Sequence, residues 1–200
     1  MSRKAKTINR TDTREELVRV GTEIIAKKGF NTTGIDAVLK TAGVPKGSFY
    51  YYFPSKEAFG VAVIDHFAVE YQRKLDSYLT DQRFSPLTRI RNYLEAGVCA
   101  AGNHRCSHGC PIGNLSQELA SQNEKFRTRL EQVFIAWQRR LADCLEQARQ
   151  AGEIAADSDV ERLAEFLLMG WEGAILRAKV TQSVKPMRDF ITILFSKVLK

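Results

Sequence analysis

Apolar residues recur at helical spacing along nearly the whole chain. The first predicted helix covers about residues 14–28. Thr13 and Glu16 have the spacing of a capping box at its start, and Gly29 is a typical helix end. Its apolar positions share one face: Leu17, Val20, Ile24 and Ile25. This pattern predicts an amphipathic helix that packs against a core.

The same reasoning predicts eight further helices and no strand, because no stretch alternates apolar and polar residues for long. Their approximate ranges are 34–41, 45–53, 55–79, 86–102, 114–120, 123–151, 157–180 and 186–198. Thr33 is the expected N-cap of the second helix, and prolines open three others. Residues 103–113 are predicted to be irregular. The fold class is therefore all-α, with about nine helices.

Residues 34–53 form a predicted helix-turn-helix, since a short turn with Gly43 separates two short helices. The second helix of such a unit enters the DNA major groove. Phe49 and Phe53 are expected to anchor it to the core. The candidate DNA contacts are basic, hydroxyl-bearing or small: Thr33, Lys46, Gly47, Ser48, Tyr50, Tyr51, Tyr52 and Lys56. The motif predicts a DNA-binding domain at residues 1–56 and a second domain at 57–200.

The distribution of charge supports a nucleic-acid partner. Residues 1–56 contain 11 Lys/Arg and 5 Asp/Glu, whereas residues 57–200 contain 19 and 18. Nearly all of the net charge of +7 therefore lies in the first quarter of the chain. A basic segment on a near-neutral body is typical of proteins that bind a polyanion. The alternative is a basic tail that only aids solubility.

The segment GIDAVLKTAGVPKGSFYYYFPSKEAFG resembles the TetR family of transcriptional regulators. The match is long and without gaps. The resemblance implies an all-helical homodimer that associates through its C-terminal helices. Each subunit would carry a three-helix DNA-binding head and a larger ligand-binding body. It further implies that a small effector changes the spacing of the two heads and releases a palindromic operator.

The body resembles a narrower group, the acrylate-responsive AcuR-type repressors, and more loosely the NemR-type repressors that sense electrophiles. The similar segments are HGCPIGNLSQELA at 108–120, AWQRR at 136–140 and GWEGAILRAK at 170–179. In those relatives an apolar residue, commonly Leu, follows the Gly-Cys step, whereas here Pro111 follows Cys110. The resemblance implies a small carboxylate or an electrophile as effector.

Three interpretations remain open for the cluster of His104, Cys106, His108 and Cys110. Cys110 could be a thiol sensor, because a helix start and nearby Arg105 would favour the thiolate. The cluster could bind metal, although its alternating spacing is not a usual zinc pattern. Cys110 could also be a buried apolar side chain lining a cavity. Cys99 and Cys144, on apolar helix faces, are expected in the core.

Four further residues are candidates for an effector pocket: Trp137, Trp171, Glu172 and Arg177. Arg177 would suit a ligand carboxylate, but it could equally form a salt bridge between helices or subunits. Gly170 and Gly173 lie inside a predicted helix. They are expected where another helix packs closely, either at the pocket or at a dimer interface.

The sequence therefore predicts a dimeric repressor that a small ligand releases from DNA. An enzyme is disfavoured, since no phosphate loop, metal motif or nucleophile-base pattern is present; no cofactor and no metal are expected. A non-specific architectural DNA protein is the other alternative, although it would have no use for the near-neutral body. No apolar run reaches membrane-spanning length and no signal peptide is evident, so a cytoplasmic protein is expected.

Overall fold

The computed structural model describes residues 10–200, and over this range the chain is all-α. A single 3-10 turn at Lys46–Ser48 precedes the third helix, and a π-helical turn at Leu194–Val198 follows the last. The nine α-helices are α1 (Arg10–Lys28), α2 (Ile35–Ala42), α3 (Phe49–Tyr52), α4 (Lys56–Leu79), α5 (Pro86–Asn103), α6 (Pro111–Leu119), α7 (Glu124–Gln150), α8 (Val160–Thr181) and α9 (Lys185–Ile193).

Helices α1–α3 and the start of α4 enclose a small core rich in aromatic residues. Phe49 and Phe53 are 1% and 2% exposed, and both rings contact the ring of Phe59 on α4. The expectation that these two phenylalanines anchor the short third helix is thereby confirmed. At the turn between α2 and α3, Gly43 adopts a left-handed conformation (φ 66°) and its N–H bonds back to the end of α2. This conformation costs glycine little, so the turn is tight and well defined.

Helix α4 continues from this N-terminal unit into the body, where it packs against α5 and α7. Helix α8 packs against α7 and α9, so the body is a layered helical bundle. Its largest fully buried side chains are Trp137 on α7 and Trp171 on α8. Gly170 allows the close approach of α8 and α9, because a Cβ there would collide with the ring of Phe190.

Several predicted helix ends are wrong, and capping explains the differences. Helix α1 already includes Thr13, so no capping box begins there. Gly34, not Thr33, is the N-cap of α2. Helix α6 begins at Pro111 rather than at residue 114, because the Cys110 sulfur caps it and proline fits the first turn. The α-helical part of the last helix ends at Ile193, and the π-helical turn continues it to the predicted end at Val198.

Candidate functional site

The side chains at the turn and on α3 divide into a buried and an exposed set. Tyr50 and Tyr51 are 68% and 61% exposed, whereas Phe49 between them and the core is buried. Lys46 is also exposed, with its Nζ 2.9 Å from Asp36 Oδ2 on α2. Gly47 faces open space, since a Cβ there would meet no atom within 4 Å. The exposed surface of this unit therefore presents a cation, phenol rings and bare backbone together.

Two of the predicted DNA contacts, Thr33 and Lys56, are engaged with neighbouring groups of the protein. Thr33 is 3% exposed, and its hydroxyl donates to the Gly29 carbonyl at 2.6 Å. That hydroxyl therefore has no proton left for a phosphate. The Lys56 ammonium lies 3.4 Å from the Asn31 carbonyl and 4.7 Å from the centroid of the Phe30 ring. Ser48 and Tyr52 are half-buried at the edge of the exposed surface.

A partly open cavity of about 160 Å³ lies in the body. Helices α4, α5, α8 and α9 form it together with the segment 104–111. One part of its lining is apolar: Gly97, Ala101, Trp171, Ile175, Ala178 and Met187. The other part carries polar groups: Tyr71, Lys74, His104, His108 and the thiols of Cys106 and Cys110. A lining of apolar side chains with a few polar and basic groups is typical of a site for a small organic ligand.

Cys110 forms one edge of the cavity and the N-cap of α6. Its sulfur accepts a hydrogen bond from the Gly113 N–H at 3.4 Å. Burial raises the pKa of the Cys110 thiol well above its usual value, and the nearby Glu172 carboxylate raises it further. The backbone N–H groups of the helix start act in the opposite direction but are outweighed. The helix start therefore favours the thiolate, as expected, but its effect is smaller than that of burial.

Glu172 lies beside Cys110 and is not among the residues that line the cavity. Its Oε1 atom is buried and has no hydrogen-bond partner among residues 10–200. Burial raises the pKa of Glu172 to about 7, although contact with the Cys110 thiol lowers it. A Cβ at position 113 would lie 2.4 Å from Glu172 Oε2, so a larger residue there would displace this carboxylate. The thiol and the carboxyl are thus coupled across the first turn of α6.

Two tyrosines that were not candidates in the sequence analysis also contribute to the cavity: Tyr71 lines it, and Tyr93 contacts Tyr71. The hydroxyls of Tyr71 on α4 and Tyr93 on α5 are hydrogen-bonded to each other. Burial raises the pKa of Tyr71 well above its usual value, so this phenol is neutral. The only signal in the sequence is their position on the apolar faces of two helices, and that signal does not distinguish a cavity wall from a core.

Only some of the residues predicted to form an effector pocket line the cavity in the structure. Trp171 lines the cavity, and Trp137 lies behind the wall, where its ring stacks on Tyr71 with 4.1 Å between centroids. Arg177 is exposed and is not among the side chains that line the cavity. Lys74, His104 and His108 instead supply the cavity's basic groups. Helical spacing places Arg177 on a different face of α8 from Trp171 and Ala178.

The His and Cys cluster does not gather around one point. Cys106 and Cys110 are buried, whereas His104 is exposed and its ring lies 4.8 Å from that of His108. Within residues 10–200, no three His, Cys, Asp or Glu side chains form a group that could hold a metal ion. Cys144 is buried as expected. Cys99 is exposed, so its predicted place in the core is wrong.

Two family models match the chain. "Bacterial regulatory proteins, tetR family" matches residues 17–63, and "Tetracyclin repressor-like, C-terminal domain" matches residues 86–194. The chain belongs to the TetR family of transcriptional regulators. It is a helix-turn-helix transcriptional repressor of that family and not an enzyme. Its N-terminal unit is accordingly an operator-binding domain, and its C-terminal domain is an effector-binding one.

Individual relatives support the assignment to the TetR family. The chain is 40% identical to the transcriptional regulator AcuR of Cereibacter sphaeroides, over 88% of this chain and 80% of AcuR. It is 33% identical to the transcriptional repressor NemR of Escherichia coli, over 89% of each chain. The crystal structure of a TetR regulatory protein from Rhodobacter sphaeroides superposes with a TM-score of 0.86 at 39% identity, covering 94% of this chain and 99% of that one. The resemblances to TetR, AcuR-type and NemR-type regulators are thus confirmed.

Among the described residues, no helix is long and apolar enough to cross a membrane.

Proposed function

We propose that this TetR-family repressor acts in the cytoplasm as a homodimer. It binds a palindromic operator through residues 1–56 and is released when a small ligand enters the cavity of residues 57–200. The observation that carries the proposal is the exposed tyrosine and lysine surface at α3, joined by α4 to a body that contains a ligand-sized cavity. A specific site needs two such short helices, because one alone covers too few base pairs.

The proposed DNA contacts are those that reach solvent around α3. Lys46 can exchange its ion pair with Asp36 for a phosphate or a guanine edge. Tyr50 and Tyr51 offer phenol groups to phosphates and rings to sugars or thymine methyl groups. Gly47 allows the backbone to approach, and Ser48, Tyr52 and Lys56 lie at the margin. Thr33 is excluded from the proposed DNA contacts, because its hydroxyl already donates to the Gly29 carbonyl.

An apolar stripe on α8 supports the homodimer. Its residues are exposed and recur with alternating steps of three and four: Phe166, Met169, Gly173, Leu176 and Val180. This is the spacing of a helix seam that packs against another helix. A Cβ at Gly173 would meet nothing within 4 Å. This opening leaves room for close approach by a second helix, so we place the seam between two copies of this chain.

The size and lining of the cavity favour a small ligand. About 160 Å³ is close to the volume of an engineered cavity, about 150 Å³, that takes up benzene in another protein. The lysine and histidines in the lining suit a carboxylate, and its apolar side chains suit a short hydrocarbon. Together with the resemblance to acrylate-responsive repressors, these features favour acrylate or a related unsaturated carboxylate or electrophile.

Thiol sensing by Cys110 is the second candidate mechanism, because this sulfur borders the cavity. Burial keeps the thiol protonated, so covalent sensing would require proton loss as the electrophile arrives. Propionate separates the two mechanisms, since it has the size and charge of acrylate but no double bond for the thiol to attack. Release by both compounds, retained in Cys110→Ser, supports a non-covalent pocket. Release by acrylate alone, lost in Cys110→Ser, supports covalent sensing.

The proposal is tested by fluorescence-anisotropy titration on the DNA next to the protein's own gene. We expect saturable binding of two copies to a palindrome at moderate salt, and weaker binding after acrylate is added. Scrambled DNA of equal length is the control. Equal affinity for both DNAs, with a steep loss on adding salt, would instead support the architectural alternative and contradict the proposal.

A further inference from the structure

Helix α6 is a short bridge between the cavity and the DNA-binding unit. At its first end, Cys110 caps the helix and Pro111 forms the first turn, and both residues line the cavity. At its last turn, Glu118 reaches the loop that follows α1. The two ends therefore contact the two parts of the molecule that an effector must connect.

The Glu118 carboxylate accepts hydrogen bonds from two consecutive backbone amides. Oε2 accepts from the Phe30 N–H at 2.9 Å, and Oε1 accepts from the Asn31 N–H at 2.6 Å. These amides lie just beyond the end of α1. Hydrogen bonds to a charged acceptor are stronger than neutral ones, and a two-point contact fixes direction as well as distance. Glu118 thereby fixes the turn between α1 and α2 against α6.

The surroundings leave this contact little freedom. Gly29 adopts a left-handed conformation (φ +84°), and a Cβ there would lie 3.0 Å from Glu118 Oε2. The Phe30 side chain is buried and packs edge-on against Phe126 of α7, with 5.2 Å between ring centroids. The turn can therefore follow Glu118 only if the end of α1 moves with it.

Helix α6 is suited to carry a displacement from one end to the other. Nine residues span roughly 13 Å at the helical rise, and the backbone hydrogen bonds keep that length nearly constant. Ile112, Leu115 and Leu119 are buried, and the helix packs against α4 and α7. A ligand or adduct that moves Cys110 would therefore also move Glu118.

We propose that Glu118 is the positioning residue through which the state of the cavity reaches the DNA-binding unit, by holding the amides of Phe30 and Asn31. The inference rests on the proposed function for its DNA readout, but not on the identity of the effector. It predicts that loss of the Glu118 carboxylate uncouples the cavity end of α6 from the head while both ends stay folded.

The test uses no ligand. Instead, a substitution at the cavity end of α6 disturbs the packing there. In Gly113→Ala, the new methyl group would lie 2.4 Å from Glu172 Oε2, so it acts as a wedge that moves this carboxylate, the cavity end of α6, or both. We expect this wedge to change operator affinity about fivefold or more, as is typical of coupled sites. In the double variant Gly113→Ala/Glu118→Gln, the change should fall below about twofold, since the two sites are then uncoupled.

Hydrogen exchange of the Phe30 and Asn31 amides gives a readout that needs no DNA. The wedge should alter their protection in the chain that retains Glu118, and it should have no further effect once Glu118→Gln has removed the carboxylate. The matched control is Glu124→Gln on α7, whose side chain is 84% exposed. This control should leave the effect of the wedge intact.

Persistence of the full wedge effect in the double variant would overturn the proposal, and so would the failure of both Gly113→Ala and Cys110→Met to change operator affinity or amide exchange. If Gly113→Ala does not fold, Cys110→Met provides a second wedge at the same helix end. Absence of any specific DNA binding would contradict the proposed function alone, because the exchange measurement still decides the role of Glu118.

Discussion

Replacing Glu172 by Gln should stabilise the protein at neutral to alkaline pH and have little effect in acid. Glu172 is largely buried beside the Cys110 thiol, and one of its oxygens has no hydrogen-bond partner within the described range 10–200. Folding therefore disfavours its charged form. The glutamine side chain has almost the same shape and no charge to desolvate, so it removes this penalty.

The size of the effect follows from the shift in pKa. Burial raises the pKa of Glu172 from 4.5 to about 7. Below pH 4.5 the carboxyl is protonated in both the folded and the unfolded chain, so the group does not oppose folding. Between pH 4.5 and about 7 the unfolded chain loses the proton first, and the free energy of unfolding falls. At about 1.4 kcal/mol per pKa unit, the loss reaches at most about 3 kcal/mol above pH 7.

Urea unfolding at several pH values between 5 and 8 checks this prediction at one protein concentration. The difference in unfolding free energy between Glu172→Gln and the unmodified chain should grow by about 2–3 kcal/mol from pH 5 to pH 8. Glu165→Gln, an exposed position on the same helix, should show no such growth. A constant difference across this range would refute the reasoning that Glu172 is held in a desolvated site.

Three further predictions concern the DNA contact, the dimer and the sensor. Lys46→Ala should weaken operator binding by about 1–3 kcal/mol in an anisotropy titration, while unchanged affinity would exclude Lys46 from the interface. Met169→Glu should place a charge in the apolar seam and shift the sedimentation of the protein towards the monomer; an unaltered dimer would move the seam elsewhere. The buried thiol of Cys110 should react with N-ethylmaleimide far more slowly than the exposed Cys99, as mass spectrometry of the labelled peptides can show, and equal rates would contradict its burial.

The fold could be predicted from the sequence because its signals are local. Leu17, Phe49 and Phe53 lie at positions where helical periodicity and turn residues already require burial. Helix ends were less predictable, because the decisive contacts involve atoms that are not typical caps. The Cys110 sulfur caps α6, so this helix begins three residues earlier than a search for Ser, Thr, Asp or Asn indicates.

The cavity could be predicted only in part, because its shape depends on how helices distant in sequence pack. Trp171 was found from its apolar helix face, but the same reasoning also selected Trp137, which lies one layer behind the wall. Arg177 was chosen for its charge, although its position on α8 faces solvent. Lys74 and the Tyr71–Tyr93 pair depend on contacts between α4, α5 and the segment 104–111, which no spacing along the chain reveals.

The central claim is that occupation of the cavity decides when the DNA-binding unit releases its operator. Genome-wide footprinting with and without acrylate tests this claim most directly. The account predicts strong protection of a few palindromic sites, lost when acrylate is added. Protection spread evenly over the genome would contradict the claim, and so would protection of specific sites that neither acrylate nor a thiol-reactive electrophile reduces.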